Sequence, residues 1–99
     1  MMDEDEAEYM RLVEALKAEA GRLSGLGAGI IAGLALDIAS DSRTFARVFG
    51  LAHALVLREL TALAQTGGYV RIRQRDARTQ RTHYELGQAG HRLVEEVKG

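Results

Sequence analysis

Arginine carries most of the chemistry that this sequence offers. Between positions 43 and 81 stand Arg43, Arg47, Arg58, Arg71, Arg73, Arg75, Arg78 and Arg81, against only Glu59 and Asp76, a net charge of +6. A basic block of that kind is the footprint of a surface for a phosphate backbone or another polyanion. The competing reading is a solvated charged surface. On a strand, Arg71, Arg73 and Arg75 would also discourage edge-to-edge aggregation. The start of the chain has the opposite sign. Residues 1–20 hold seven acids against Arg11 and Lys17, a net of −5, so the overall charge of −1 hides a marked asymmetry.

The rest of the reactive inventory is thin. There is no cysteine, which removes thiol nucleophiles, disulfides and Cys-based zinc sites together. No nucleophile has a base beside it, and no pair of acids has useful spacing. Gly25-x-Gly27 is not preceded by a strand, so it does not read as a nucleotide loop. His83 and His91 lack a carboxylate or second histidine at metal-ligand spacing and read as structural or exposed. Neither enzymatic activity nor a metal or other cofactor is expected.

The elements that must position the arginines are punctuated by glycine, for the chain has no proline. At 99 residues and 46% hydrophobic content it reads as one globular domain with a modest core. The acidic start is unlike a signal peptide. Leu26–Ala39, 14 residues with three glycines and Asp37, is too short to cross a bilayer and reads as a buried core helix. A soluble, cytoplasmic protein is expected.

Periodicity predicts a first helix from Asp5 to Leu23, with Tyr9, Leu12, Val13, Leu16, Ala20 and Leu23 on one face. A second, apolar nearly all round, is predicted over Ala28–Ala39. Asp41 or Ser42 suits the N-cap of a third helix ending at Phe49, with Gly50 supplying a tight turn. A fourth is expected over Ala52–Gln65, stopped by Gly67 and Gly68. The period then changes from 3.6 to 2. Tyr69–Arg75 reads as a half-buried strand, with Val70 and Ile72 on one face and Arg71, Arg73 and Arg75 on the other. Asp76–Thr79 is turn-like, Gln80–Leu86 returns with Tyr84 and Leu86 inward, and a last helix is predicted over Gln88–Val97.

Thr44–Leu51 has the spacing of a helix-turn-helix, with small Ala46 where two helices cross and a glycine four positions later. The continuation runs from Val56 through Gly67-Gly68-Tyr69-Val70, a basic hairpin with an Asp-x-Arg tip (Asp76, Arg78), and Tyr84-Glu-Leu-Gly-Gln-Ala-Gly90. Over about residues 28–97 it resembles winged helix-turn-helix transcriptional regulators of the MarR, ArsR and PadR type. Two departures stand out. Gly87 occupies a position where those proteins carry Thr, so the last helix lacks a good N-cap. The glycine pair at 67–68 is one residue longer than their common form, which leaves the strand register open by one.

The resemblance implies a mainly α fold with a small β-hairpin wing, a winged helix-turn-helix. It also implies a partner, double-stranded DNA, with helix 52–65 in the major groove and wing 69–86 along an adjacent groove or backbone. With Val56, Leu60 and Leu63 inward, Ala54, Arg58, Thr61 and Gln65 point outward. Arg58 is then the candidate for a bidentate guanine contact, and His53 and Thr61 for phosphate or base edges. Arg71, Arg73, Arg75, Arg78 and Arg81 would grip phosphates or probe the minor groove, and Arg43 and Arg47 would touch the backbone. The helix is poor in base-reading side chains, and Leu57 sits at the edge of its exposed face. Residues 26–99 form the expected DNA-binding domain. Residues 1–25 are the expected homodimerisation element, because their apolar face lacks partners in so small a domain, and the C-terminal helix is the other candidate. The alternative is a winged helix used as a protein-interaction module.

Overall fold

The structure is a computed structural model and describes residues 3–98. Helix α1 (Glu4–Glu19) begins at Asp3, whose carboxylate accepts from the Glu6 amide at 2.8 Å. Glu4, Asp5 and Glu6 follow at the positive end of the helix dipole. Leu12, Val13 and Leu16 are buried. The helix stops before Leu23, where periodicity alone carries it. The chain turns at Gly21–Arg22, the Leu23 amide bonds back to the Ala20 carbonyl, and Leu23 reaches the core from outside the helix.

Helix α2 (Gly25–Ala35) starts three residues earlier than predicted, because Ser24 caps it by accepting from the Gly27 amide at 2.9 Å. It also ends earlier. Asp37 turns left-handed at φ 59°, and the Ile38 amide folds back to the Gly33 carbonyl at 2.8 Å. Every residue from Gly27 to Gly33 is buried, as an all-apolar helix requires.

Helix α3 (Ser42–Phe49) is capped by Asp41, which accepts from the Thr44 amide at 3.0 Å, and ends at Gly50 with φ 65°. Helix α4 (His53–Gln65) follows after a short turn, with Val56, Leu60 and Leu63 inward. Two left-handed glycines, Gly67 and Gly68, lead into strand β1 (Val70–Arg75), which pairs antiparallel with β2 (Thr82–Leu86). Asp41 adds an isolated bridge to His83 on the free edge of β2, and the Tyr84 amide donates to the Ser40 carbonyl. Helix α5 (Gln88–Lys98) closes the chain against α1 and the hairpin.

The molecule is thus mainly helical with one small antiparallel hairpin. All five helices and both strands contribute to a single core, including Leu16, Ile30, Phe45, Leu60, Val70, Tyr84 and Leu93. The apolar face of α1 therefore has its partners within the chain, on α2 and α5. Among the described residues, no helix is long and apolar enough to cross a membrane.

The two glycine features meet in space. A Cβ on Gly87 would lie 2.2 Å from the Gly68 carbonyl oxygen, so only glycine fits where the end of β2 passes the turn before β1. The register is Val70 to Leu86, Arg71 to Glu85 and Ile72 to Tyr84, followed by a bulge after which Gln74 faces His83 and Arg75 faces Thr82.

Candidate nucleic-acid interface

Three consecutive residues at the start of α3 hold the hairpin. The Asp41 carboxylate pairs with Arg81 at 2.7 Å while accepting from the Thr44 hydroxyl and amide. Burial alone would push the Asp41 carboxyl up. The Thr44 bonds and the charges of Arg81 and His83 outweigh it and hold the carboxyl below its usual range. Ser42, fully buried, accepts from the Thr82 amide at 2.9 Å and lies 2.7 Å from His53 Nε2. The serine oxygen thus joins the hairpin and α4, the imidazole tautomer setting which of Ser42 and His53 donates. Arg43 donates to the Thr79 carbonyl at 2.6 Å, near the tip of the hairpin.

His53 opens α4, so this network joins the first turn of that helix to the base of the hairpin. Burial first, then the charges of Arg43 and Arg81, lower the His53 pKa, with Asp41 opposing them. The imidazole is therefore neutral at pH 7. Ala52, before it, provides no side-chain cap, leaving the first amides of α4 free of one. Along the outer face of α4, Ala54, Arg58, Thr61 and Gln65 are all exposed, as the helical wheel requires. Thr61 donates back to the Leu57 carbonyl at 3.1 Å, and its lone pairs remain open to an incoming donor. Leu57 is half-buried, whereas Leu55 is 46% exposed.

The hairpin arginines fall into different settings. Arg71 and Arg73 both face Glu85, the first in an ion pair and the second at 3.5 Å. The bulge at Arg73 shifts the phase of β1, so Arg75 does not share their face. It lies opposite buried Thr82 and donates from Nε to the threonine hydroxyl at 3.1 Å. Strict alternation of three arginines on one face is thereby overturned. At the tip, the Asp76 carboxylate accepts from the Arg78 and Thr79 amides at 2.8 and 3.2 Å, and Gln80 turns left-handed. Aspartate suits the tip because its short carboxylate supplies the acceptor such a turn needs.

The ten candidate residues thus divide. His53, Arg43, Arg75 and Arg81 are bonded into the α3–α4–hairpin joint, Arg71 and Arg73 share one counter-ion, and exposed Thr61 bonds back to its own helix. Arg47, Arg58 and Arg78 are exposed and make no side-chain hydrogen bond or ion pair among the described residues. Ser42 and Glu85 carry roles that the sequence did not suggest. Only the placing of Glu85 opposite Arg71 was open to inference, given a fixed register. Comparison with family models, with curated proteins and with solved structures finds no match to this chain.

Proposed function

We propose that the chain is a winged helix-turn-helix regulator that binds duplex DNA as a homodimer, with α4 in the major groove and the hairpin as its wing. The observation that carries this reading is the joint at 41–43. It ties the first turn of α4 to Arg43 and to the Arg81–Asp41 pair beside the start of a helix without a side-chain cap, leaving the charge of Arg43 unanswered there. A helix N-terminus flanked by guanidinium groups is a natural seat for a backbone phosphate. The order α3, α4, β1, β2, α5 also supports it, since it sets a basic hairpin directly after the helix assigned to the groove.

In this reading Arg58 and Thr61 face the bases, while Arg47 and Arg78 reach phosphates without first breaking an internal bond. Arg71 and Arg73 contribute less than their number suggests, because Glu85 offsets part of their charge. Arg75 and Arg81 mainly hold the hairpin in place. Binding to a mixed-sequence duplex, followed by fluorescence anisotropy across a salt series, tests the reading. Arg78→Ala should weaken binding to all sequences and reduce the salt slope by about one. Arg58→Ala should weaken binding and relax preference at one base pair. A chain that binds no duplex at low salt would refute the proposal.

One observation favours a second reading, a protein-interaction module. Leu55 stands 46% exposed on the helix assigned to the groove, and an apolar anchor there suits a partner protein. Leu55→Asp separates the two by abolishing capture of a protein partner. On DNA it acts mainly as an added negative charge, which Leu55→Gln would not reproduce.

A further inference from the structure

The core is built of aliphatic and aromatic side chains except at one place. Among the described residues, the buried polar or charged ones are Asp41 at 8% exposure and Ser42 and Thr82 at 0%, and all three stand where α3 meets the hairpin. Burying a polar group is costly unless its hydrogen bonds are made. What such a network supplies in return is direction. Apolar surfaces can slide on one another, whereas a hydrogen bond weakens steeply once it bends, so a satisfied buried network holds one geometry.

Ser42 is the centre of this network. Its oxygen accepts from the Thr82 amide at 2.9 Å and lies 2.7 Å from His53 Nε2, so one atom meets both the hairpin and the first residue of α4. Thr82 carries the contact onward, its hydroxyl donating to the Gln80 carbonyl and accepting from Arg75 Nε, each at 3.1 Å. The other bonds of the joint, Asp41 to Arg81 and Arg43 to the Thr79 carbonyl, tie the hairpin to α3 and leave α4 out. At its opposite end α4 connects to β1 through the left-handed Gly67 and Gly68, with the Tyr69 amide bonded to the Leu63 carbonyl at 3.0 Å. Glycine is the residue least able to hold a backbone angle, so that connection is a pivot. The second attachment, at Ser42, stops rotation about it.

We propose that Ser42 is a positioning residue for duplex recognition: by joining the Thr82 amide to His53 it holds α4 and the hairpin at the angle at which both reach one duplex. The inference rests on the DNA reading above and deepens it by naming what couples its two contact elements. Two elements held at the right angle bind as one, because the second contact is nearly in place once the first is made. Phosphate contacts are long-range and tolerate misplacement, whereas a bidentate base contact is directional. Loss of Ser42 therefore falls on sequence preference more than on affinity for duplex at large. His53 acts through Ser42 and not on the DNA itself.

The test measures a ratio of affinities by fluorescence anisotropy, for a duplex that the wild-type chain selects from a randomised pool and for a mixed-sequence duplex. The ratio does not depend on the fraction of protein that is folded, so a loss of stability alone leaves it unchanged. Ser42→Ala should lower it at least about tenfold, with the salt slope on the mixed-sequence duplex nearly unchanged. His53→Ala should lower it as well, and the double variant should do no worse than Ser42→Ala, because both changes remove one link. Circular dichroism melts show which variants are folded. If Ser42→Ala is not, His53→Ala decides alone. Preference lost across the whole selected site at an unchanged salt slope upholds the proposal. Preference lost at one base pair, or a slope smaller by about one, marks His53 as a direct contact and overturns it. An unchanged ratio in folded Ser42→Ala also overturns it, as does a double variant whose loss is the product of the two single losses, or a wild-type chain that binds every duplex alike. Those outcomes leave the DNA reading standing. A wild-type chain that binds no duplex at low salt removes that reading, and this inference with it.

Discussion

His53 and Asp41 sit in the same joint and respond to acid in separate ranges. Burial and the neighbouring Arg43 and Arg81 hold the His53 pKa below its ordinary value of 6.5, while Asp41 opposes them. The folded chain therefore binds this proton more weakly than the unfolded chain. The associated stability is intact above the unfolded value and is lost as pH falls below it. Asp41, also lowered, acts in the same direction but from its ordinary value of 3.8 downward. Urea unfolding should show a lower midpoint at about pH 5.5 than at about pH 7.5, and His53→Gln should flatten that difference. An unchanged pH dependence in the variant would show that the His53–Ser42 bond does not couple to folding. At this scale the sequence exposes residue types but not their partners. Arg81 meets Asp41 across 40 positions, and Arg71 meets Glu85 across 14. An arginine's count toward a basic surface is legible in the chain. Whether its charge is already answered is decided by contacts that no local pattern encodes.

At the scale of elements, periodicity locates every helix and both strands, whereas the ends of α1 and α2 shift where the chain turns at Gly21–Arg22, at the Ser24 cap and at left-handed Asp37. Ser24 started α2 early because a hydroxyl that can accept from the Gly27 amide outweighs the reputation of glycine as a breaker. The hairpin shows the limit of pattern reading more clearly. Val70-Arg71-Ile72-Arg73-Gln74-Arg75 alternates until Gln74 takes an inward position, and there a bulge at Arg73 turns Gln74 outward and sends Arg75 to the face of Thr82. A polar residue at an inward position does not by itself place a bulge, because the bulge is defined by pairing with the other strand, where Arg73 is left without a partner. Gly87 is the other case. From sequence it looks like a lost helix cap, whereas in the fold it is the residue that lets β2 pass the Gly68 carbonyl. Gly87→Ala should destabilise the domain by about 1–3 kcal/mol, read as a lower urea midpoint, with Gln88→Ala as a neutral neighbour for comparison. A midpoint unchanged within error would mean that the turn at 67–68 can shift aside.

For the whole molecule, the decisive feature is that α1 belongs to the core. Leu16 is fully buried among residues of the other elements, so Leu16→Ala should lower stability by about 2–5 kcal/mol. Denaturant unfolding checks this. An element that merely joined two copies would respond instead by a change in mass at nearly constant stability. By itself the sequence determined the helix-rich class, the hairpin, the outward face of α4 and the concentration of arginine, because periodicity, turn residues and charge are local properties of the chain. Only the tertiary structure decided which arginines are free, that α1 closes the core, and that Ser42 joins the hairpin to α4. Those depend on which segments meet, and segments far apart in sequence meet through the burial of their summed apolar surface rather than through any signal that one segment carries alone.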